Sequence, residues 1–155
     1  MKIIHASPGF GSAMTESQVK NFLSNSKLNL LLGTIDSKGE PNVHPVWYHY
    51  QDDNLYIETG KTAKKAKNIQ KNHNVYFCID DETIPYKGVR GKAKANVIDD
   101  VSTMLPIAEK IMLKYTGSLD NKVAKFLLDG VKSNQSIILE LEPRYFATWD
   151  HSDAF

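Results

Sequence analysis

Cysteine is nearly absent. The 155 residues contain one, Cys78, so no internal bridge can form; a disulfide scaffold is excluded, and a reducing, cytoplasmic setting is expected. An excess of charge of one sign is lacking too. Nineteen Lys and Arg stand against eighteen Asp and Glu, a net charge of +1, and no global field draws the chain to nucleic acid or to an anionic membrane. Apolar runs stop after a few residues, and the opening MKIIHASPGF has no signal-type apolar core with a cleavage site, so neither secretion nor a membrane span is expected. HExxH, CxxC, GxSxG and a Walker loop are all missing, which removes support for zinc hydrolase, dithiol, serine hydrolase and NTPase chemistry. His44 and His49 are an odd number of residues apart. On a regular strand they point to opposite faces, and no metal site is expected.

What remains is an ordinary globular composition, 41% hydrophobic and 24% charged. A chain of this size buries roughly 70% of its unfolded surface, enough to fold without bridges or metal. No repeat or low-complexity linker divides it, so one domain is expected over 15–150, between an irregular arm at 1–14 and a short tail at 151–155.

Thr15 with Gln18 has capping-box spacing, and Val19, Phe22 and Leu23 follow at helical separations. Leu28 to Ile35 reads as a strand that enters a turn at Asp36 to Gly39. Asn42 to Tyr50 reads as its partner, with Pro45 marking an edge or bulge. Leu55 to Thr59 would complete a three-strand meander, followed by a helix over 61–71. Further strands are expected at 75–79, at 86–97 with a sharp bend at its glycines, at 137–141 and at 145–149. Two helices, 102–114 and 121–133, are separated by Gly117 and Asp120. Six or seven strands, mostly joined by hairpins, predict a mainly β (α+β) fold, a small antiparallel barrel with peripheral helices.

Two stretches carry chemistry. Between Thr59 and Ile79 stand Lys61, Lys64, Lys65, Lys67 and Lys71 without one Asp or Glu. Lysines at the start of a helix oppose its dipole, where exposed N–H groups favour an anion. Lys61, Lys64 and Lys65, with the hydroxyls of Thr59 and Thr62 and close approach at Gly60, form a plausible phosphate cradle. The same run also reads as a solvated basic face. The second stretch is Pro45-Val46-Trp47-Tyr48, where two aromatic rings beside backbone left free by Pro45 could flank a planar ligand or pack in a β-core.

The order of these pieces resembles the FMN-binding split barrel family, and within it the pyridoxamine 5′-phosphate oxidase-like proteins that bind FMN or the deazaflavin F420. The residues that carry the resemblance are Gly39-Glu40-Pro41, Pro45 to Tyr48, Thr59, Lys64 to Ile69, and Val89-Arg90-Gly91-Lys92-Ala93. The resemblance implies a six-stranded antiparallel split β-barrel with peripheral helices, working as a homodimer with a cofactor in each of two interface grooves. By position, Pro45, Val46, Trp47 and Tyr48 would lie along the flavin ring, largely through backbone contacts. Glu58 and Thr59 would flank the ribityl chain or phosphate. Lys64 and Lys65 match the family's phosphate-binding basic pair, with Lys61 and Thr62 beside them, and Arg90 or Trp149 of the partner chain would complete the groove. It implies an FMN-dependent, or alternatively F420-dependent, oxidoreductase with a small-molecule substrate. The end RYFATWDHSDAF lacks the Arg-x-His-x-Arg motif of true pyridoxamine phosphate oxidases, so vitamin B6 is not the expected substrate. The rival readings are a non-enzymatic flavin sensor or carrier and a polyanion-binding barrel, with a haem-binding relative last.

Overall fold

The computed structural model describes residues 1–155. Its strands are β1 (Ile3–His5), β2 (Leu30–Ile35), β3 (Pro41–Val46), β4 (His49–Gln51), β5 (Asn54–Gly60), β6 (Asn74–Asp81), β7 (Lys87–Ile98), β8 (Ser136–Pro143) and β9 (Phe146–Asp150). The helices are α1 (Glu16–Asn25), α2 (Lys64–Lys71), α3 (Val101–Thr116) and α4 (Lys122–Lys132). Pairing runs β3-β2-β6-β7-β8-β5-β4, and β9 also pairs with β7. Every contact in the sheet is antiparallel except β1 with β9. The architecture is the expected antiparallel split barrel with peripheral helices, built from nine strands rather than six or seven.

Strand β7 shows how the barrel closes. Lys87 to Arg90 pair with β9, whereas Ala93 to Ile98 pair with β8, so one strand serves two sheet segments and turns between them. Gly91 stands at the turn, where a Cβ would overlap the carbonyl oxygen of Tyr145 and press on the Phe77 ring. Gly88 likewise lies under the indole of Trp149. Both are places where only a glycine lets backbone and ring approach.

The N-terminal helix starts as its spacing predicts. Thr15 Oγ1 accepts from the Gln18 N–H at 3.2 Å while Gln18 Oε1 accepts from the Thr15 N–H at 2.8 Å, a reciprocal capping box. Asp100 and Asn121 cap α3 and α4, and Gly117 ends α3 at φ +76.

Four expectations need correction. The stretch 42–50 is two strands, because the chain leaves β2 after Val46 and swings across the barrel to pair His49 with Tyr56. The three-strand meander is therefore two hairpins at opposite ends of the pairing path. Helix α2 begins at Lys64, not Lys61, since the Lys61 N–H continues the β5–β8 ladder onto the Gln135 carbonyl at 3.0 Å. The arm contains β1, whose Ile3 packs on the main core. A three-residue strand held by main-chain pairing leaves no period in sequence. Pro45, by contrast, sits on edge strand β3 opposite Leu31, where a missing N–H costs no ladder bond.

Alternation divides each strand between two packed layers. Leu55, Ile57 and Thr59 of β5 and Ile137, Leu139 and Leu141 of β8 turn into the barrel, while Ile138 turns outward beneath α3 and α4. There it meets Met104, Ala108, Ile111 and Met112 of α3 and Leu128 and Val131 of α4. Glu58, between Ile57 and Thr59, shares the outward direction. Its carboxyl therefore faces the helices and not the barrel.

Gly91→Ala should destabilise the fold by roughly 1–3 kcal/mol, since the added methyl meets backbone that cannot yield. Gly60→Ala, where an added Cβ meets nothing within 4 Å, should stay within about 0.5 kcal/mol. Guanidinium denaturation of both variants checks the contrast.

Candidate functional site

Edge strand β3 ends at Val46, and the chain that leaves it runs beneath α3. Between that segment, β5, the start of α2 and the two late helices lies a cleft of about 420 Å³, lined in part by Pro45, Val46, Trp47, Glu58 and Lys65. A space of this size lies within the roughly 300–1,000 Å³ of small-molecule and cofactor sites. Five of the ten residues singled out from sequence therefore share one cavity. Its remaining lining, Asn29, Ile111, Met112 and Leu127, was not anticipated. Ile111, Met112 and Leu127 belong to helices whose apolar periodicity signals burial but not what they cover.

The other five residues lie as follows. Tyr48 is fully buried, its hydroxyl donating to the Leu23 carbonyl at 2.9 Å. Its own N–H is directed at the Tyr115 hydroxyl, 3.3 Å away. Its ring and its N–H are thus committed inside the protein. Thr59 is buried on the barrel side of β5, opposite in direction to Glu58. Lys61 and Thr62 occupy the connection from β5 to α2, and Lys64 opens α2. The Lys64 charge helps to lower the Asp36 carboxyl in the β2–β3 turn, after the hydrogen bonds from Asn42 and the Glu40 N–H. Adjacent lysines thus divide: Lys64 acts toward the hairpin turn and Lys65 toward the cleft.

A buried hydrogen-bond chain sets the position of α2. Asn68 Nδ2 donates to Thr34 Oγ1 at 3.0 Å, and that hydroxyl lies 3.0 Å from His44 Nε2. It joins the helix to β2 and β3 at once. The imidazole is pushed toward its neutral form by burial and then by the Lys65 charge.

Trp47 is held flat. Its ring stacks on Tyr115 with centroids 4.8 Å apart and planes 4° from parallel, and the Tyr115 hydroxyl donates to the Leu28 carbonyl at 2.8 Å. One indole face is covered while the residue still lines the cleft. Behind this pair Lys114 Nζ sits 3.5 Å from the centre of the Tyr48 ring and donates to the Leu23 and Tyr48 carbonyls at 3.3 and 3.4 Å. No carboxylate lies within ion-pair distance of it, and burial lowers it from 10.5 to about 8. Glu58 is pushed the opposite way. Burial raises its carboxyl above the ordinary range, against the Ser136 hydroxyl and the Lys65 charge, which lower it.

At the entrance to the cleft, α2 starts without a side-chain cap, and no acidic residue stands in its first turn. The N–H groups of Lys64, Lys65 and Ala66 have no acceptor within the protein. Unpaired donors and lysine charge meet at one edge of the cavity.

The family model described as pyridoxamine 5′-phosphate oxidase matches residues 15–150. Among solved structures the chain is similar to a conserved hypothetical protein of Mycobacterium tuberculosis, with 22% identity over 97% of this chain and 92% of that one and a TM-score of 0.80. It is similar to an F420 reductase at 23% identity, covering 81% of this chain and 93% of that one, TM-score 0.61. A FAD-binding protein from Mesorhizobium loti shares 17% identity over 87% of this chain and 94% of that one, TM-score 0.64. These likenesses are of fold. No curated protein sequence matches the chain.

The Lys114 environment yields a pH signature. Between about pH 8 and pH 10.5 the folded chain has released this proton and the unfolded chain still holds it, so stability rises with pH across that window. Tyr48 and Tyr115, both raised by burial, keep protons that the unfolded chain loses above pH 10, which reverses the trend. Denaturation midpoints should climb between pH 8 and 10 by an equivalent of about 1–2 kcal/mol after discounting for partial exposure. Lys114→Met should flatten that climb.

Proposed function

The chain belongs to the pyridoxamine 5′-phosphate oxidase family, and on that premise we propose that it binds FMN in the cleft beside α2 and acts as a flavin-dependent oxidoreductase. The observation that carries this reading is the start of α2. An uncapped, acid-free helix N-terminus with lysines at its first two positions opens beside a cavity through Lys65. Such an end is a site for a phosphate.

The residues present fit the group. Lys65 would hold the phosphate together with the unpaired N–H groups, with Lys64, Lys61 and Thr62 as neighbours. Main chain from Pro45 to Trp47 would lie along the ring, and Glu58 would flank the ribityl chain. Tyr48 and Thr59, both buried, would act by packing that fixes the backbone on either side. Bound FMN supplies the hydride or electron transfer, and the protein supplies position and electrostatics. Trp47, held flat by Tyr115, excludes water from one wall.

The same reading includes a homodimer. Leu31, Val43 and Tyr76 are 41%, 68% and 36% exposed on the outer face of β2, β3 and β6, and register places Val43 and Tyr76 on either side of Gly33. This apolar face is continuous with the cleft through Pro45, the pairing partner of Leu31. A second copy seated there would bring residues such as its Arg90 or Trp149 to the groove. No helix is long and apolar enough to cross a membrane.

Mass spectrometry of the co-purifying small molecule, with absorbance and titration, tests the assignment. FMN released on denaturation supports it; a colourless protein that titrates with F420 moves the assignment to the deazaflavin, for which the further lysines of α2 would provide the longer basic groove. Weak, salt-sensitive binding to any polyanion would replace it with the non-enzymatic barrel. Lys65→Ala should weaken FMN binding roughly tenfold or more, and the Lys64→Ala, Lys65→Ala pair further. Both should leave the apo melting temperature nearly unchanged. Unaltered affinity in both variants defeats the phosphate assignment.

A further inference from the structure

A second cavity of about 520 Å³ adjoins the first and shares Glu58 and Leu127 with it. It exists because of how the β5–β8 ladder ends. The last register pair is Gly60 with Ser136, and a Cβ at Gly60 would meet nothing within 4 Å, so open space stands over the backbone there. On α4, a Cβ at Gly130 would come within 2.9 Å of Ser136 Oγ. The helix therefore seats against β8 as closely as a glycine permits. One turn earlier on the same helix face, Phe126 stands 76% exposed at the cavity mouth. A phenyl ring this exposed contributes little to the fold.

The charges of this chamber differ from those of the first. Its ionisable lining groups are Glu58 and Asp129, with no lysine or arginine among them. Lys65 acts on Glu58 from the adjoining cleft, and the Lys61 N–H is bonded to the carbonyl of Gln135, a lining residue. A phosphate ester placed here would face two carboxylates. A protonated nitrogen would meet the Glu58 carboxyl, and a flat apolar body carrying it would have Phe126 and Leu127 in the same lining.

We propose that this chamber is the substrate site and that it takes aromatic or heteroaromatic molecules bearing a protonated nitrogen, with the ring on Phe126 and the nitrogen at Glu58. The assignment of the chamber to substrate rests on the flavin reading of the first cleft; its preference for a cation does not. The sharing of Glu58 and Leu127 would place such a molecule against whatever occupies the first cleft. Burial that holds the Glu58 carboxyl above its ordinary range is relieved when an ammonium group lies beside it.

The test is equilibrium binding of benzylamine, benzyl alcohol and benzyl phosphate to the full chain, with and without FMN, followed by calorimetry and by amide shifts of Gly60, Gly130 and Ser136. Benzylamine should bind at least about tenfold more tightly than the alcohol, and benzyl phosphate should not shift those amides. Phe126→Ala should weaken amine and alcohol alike, roughly tenfold. Glu58→Gln should remove the preference for the amine and spare alcohol binding, which a merely unfolded variant would not do. Equal affinity for amine and alcohol, or tighter binding of the phosphate at these amides, overturns the proposal. Amine preference in a chain that binds no flavin defeats the cofactor reading and upholds the cationic chamber; flavin binding without amine preference does the reverse.

Discussion

The hydrogen bond from Asn68 to Thr34 is made in a seam where both side chains are buried. Breaking it would strand polar atoms in an apolar interior, at a cost of about 1–3 kcal/mol. It holds a helix of lysines against edge hairpin β2–β3, and Ala66 and Ile69 beside Asn68 complete the buried side of that helix. The lysine charge and the unpaired N–H groups at the cleft follow from this docking. With α2 rotated or lifted, Lys65 would leave the cavity, the unpaired N–H groups would face water, and Thr34 would keep His44 but lose Asn68.

The path from sequence to site was legible wherever local chemistry and global fold agree. Thr15 and Gln18 cap α1 as their spacing requires, Pro45 falls on an edge, and Gly91 bends β7 where the strand passes from one partner to another. The lysine-led start of α2 was readable because it violates a local preference, cations at the positive end of a helix, and such a violation asks for a ligand. What could not be read depends on distance along the chain. Leu127 and Met112 reach the cleft only because α3 and α4 fold back over β8. The break after Val46 arises because Tyr48 gains full burial and a bond to Leu23 by leaving the strand.

Aromatic residues show how a sequence motif divides once folded. Trp47 and Tyr48 are neighbours, yet the first lines the cleft and the second is sealed in the core over Lys114. The division is mechanical. Tyr115 stacks on one ring and bonds the backbone of the other, so a single residue of α3 orients the cleft wall and secures the chain that bears it. Composition could indicate that two large rings were present beside an edge strand; only packing decides which is left to touch a ligand.

Charge is distributed in space rather than in total. A net of +1 conceals a cavity edged by lysine and a second edged by carboxylates, with Glu58 common to both. Glu58 occupies this boundary because β5 alternates: Ile57 and Thr59 enter the barrel, which leaves the residue between them facing the helices. Shifting β5 by one residue against β8 would bury that carboxyl in the barrel and turn Ile57 toward the cleft. The register of a single strand pair is thus what sets Glu58 between a compartment edged by Lys65 and one edged by Asp129.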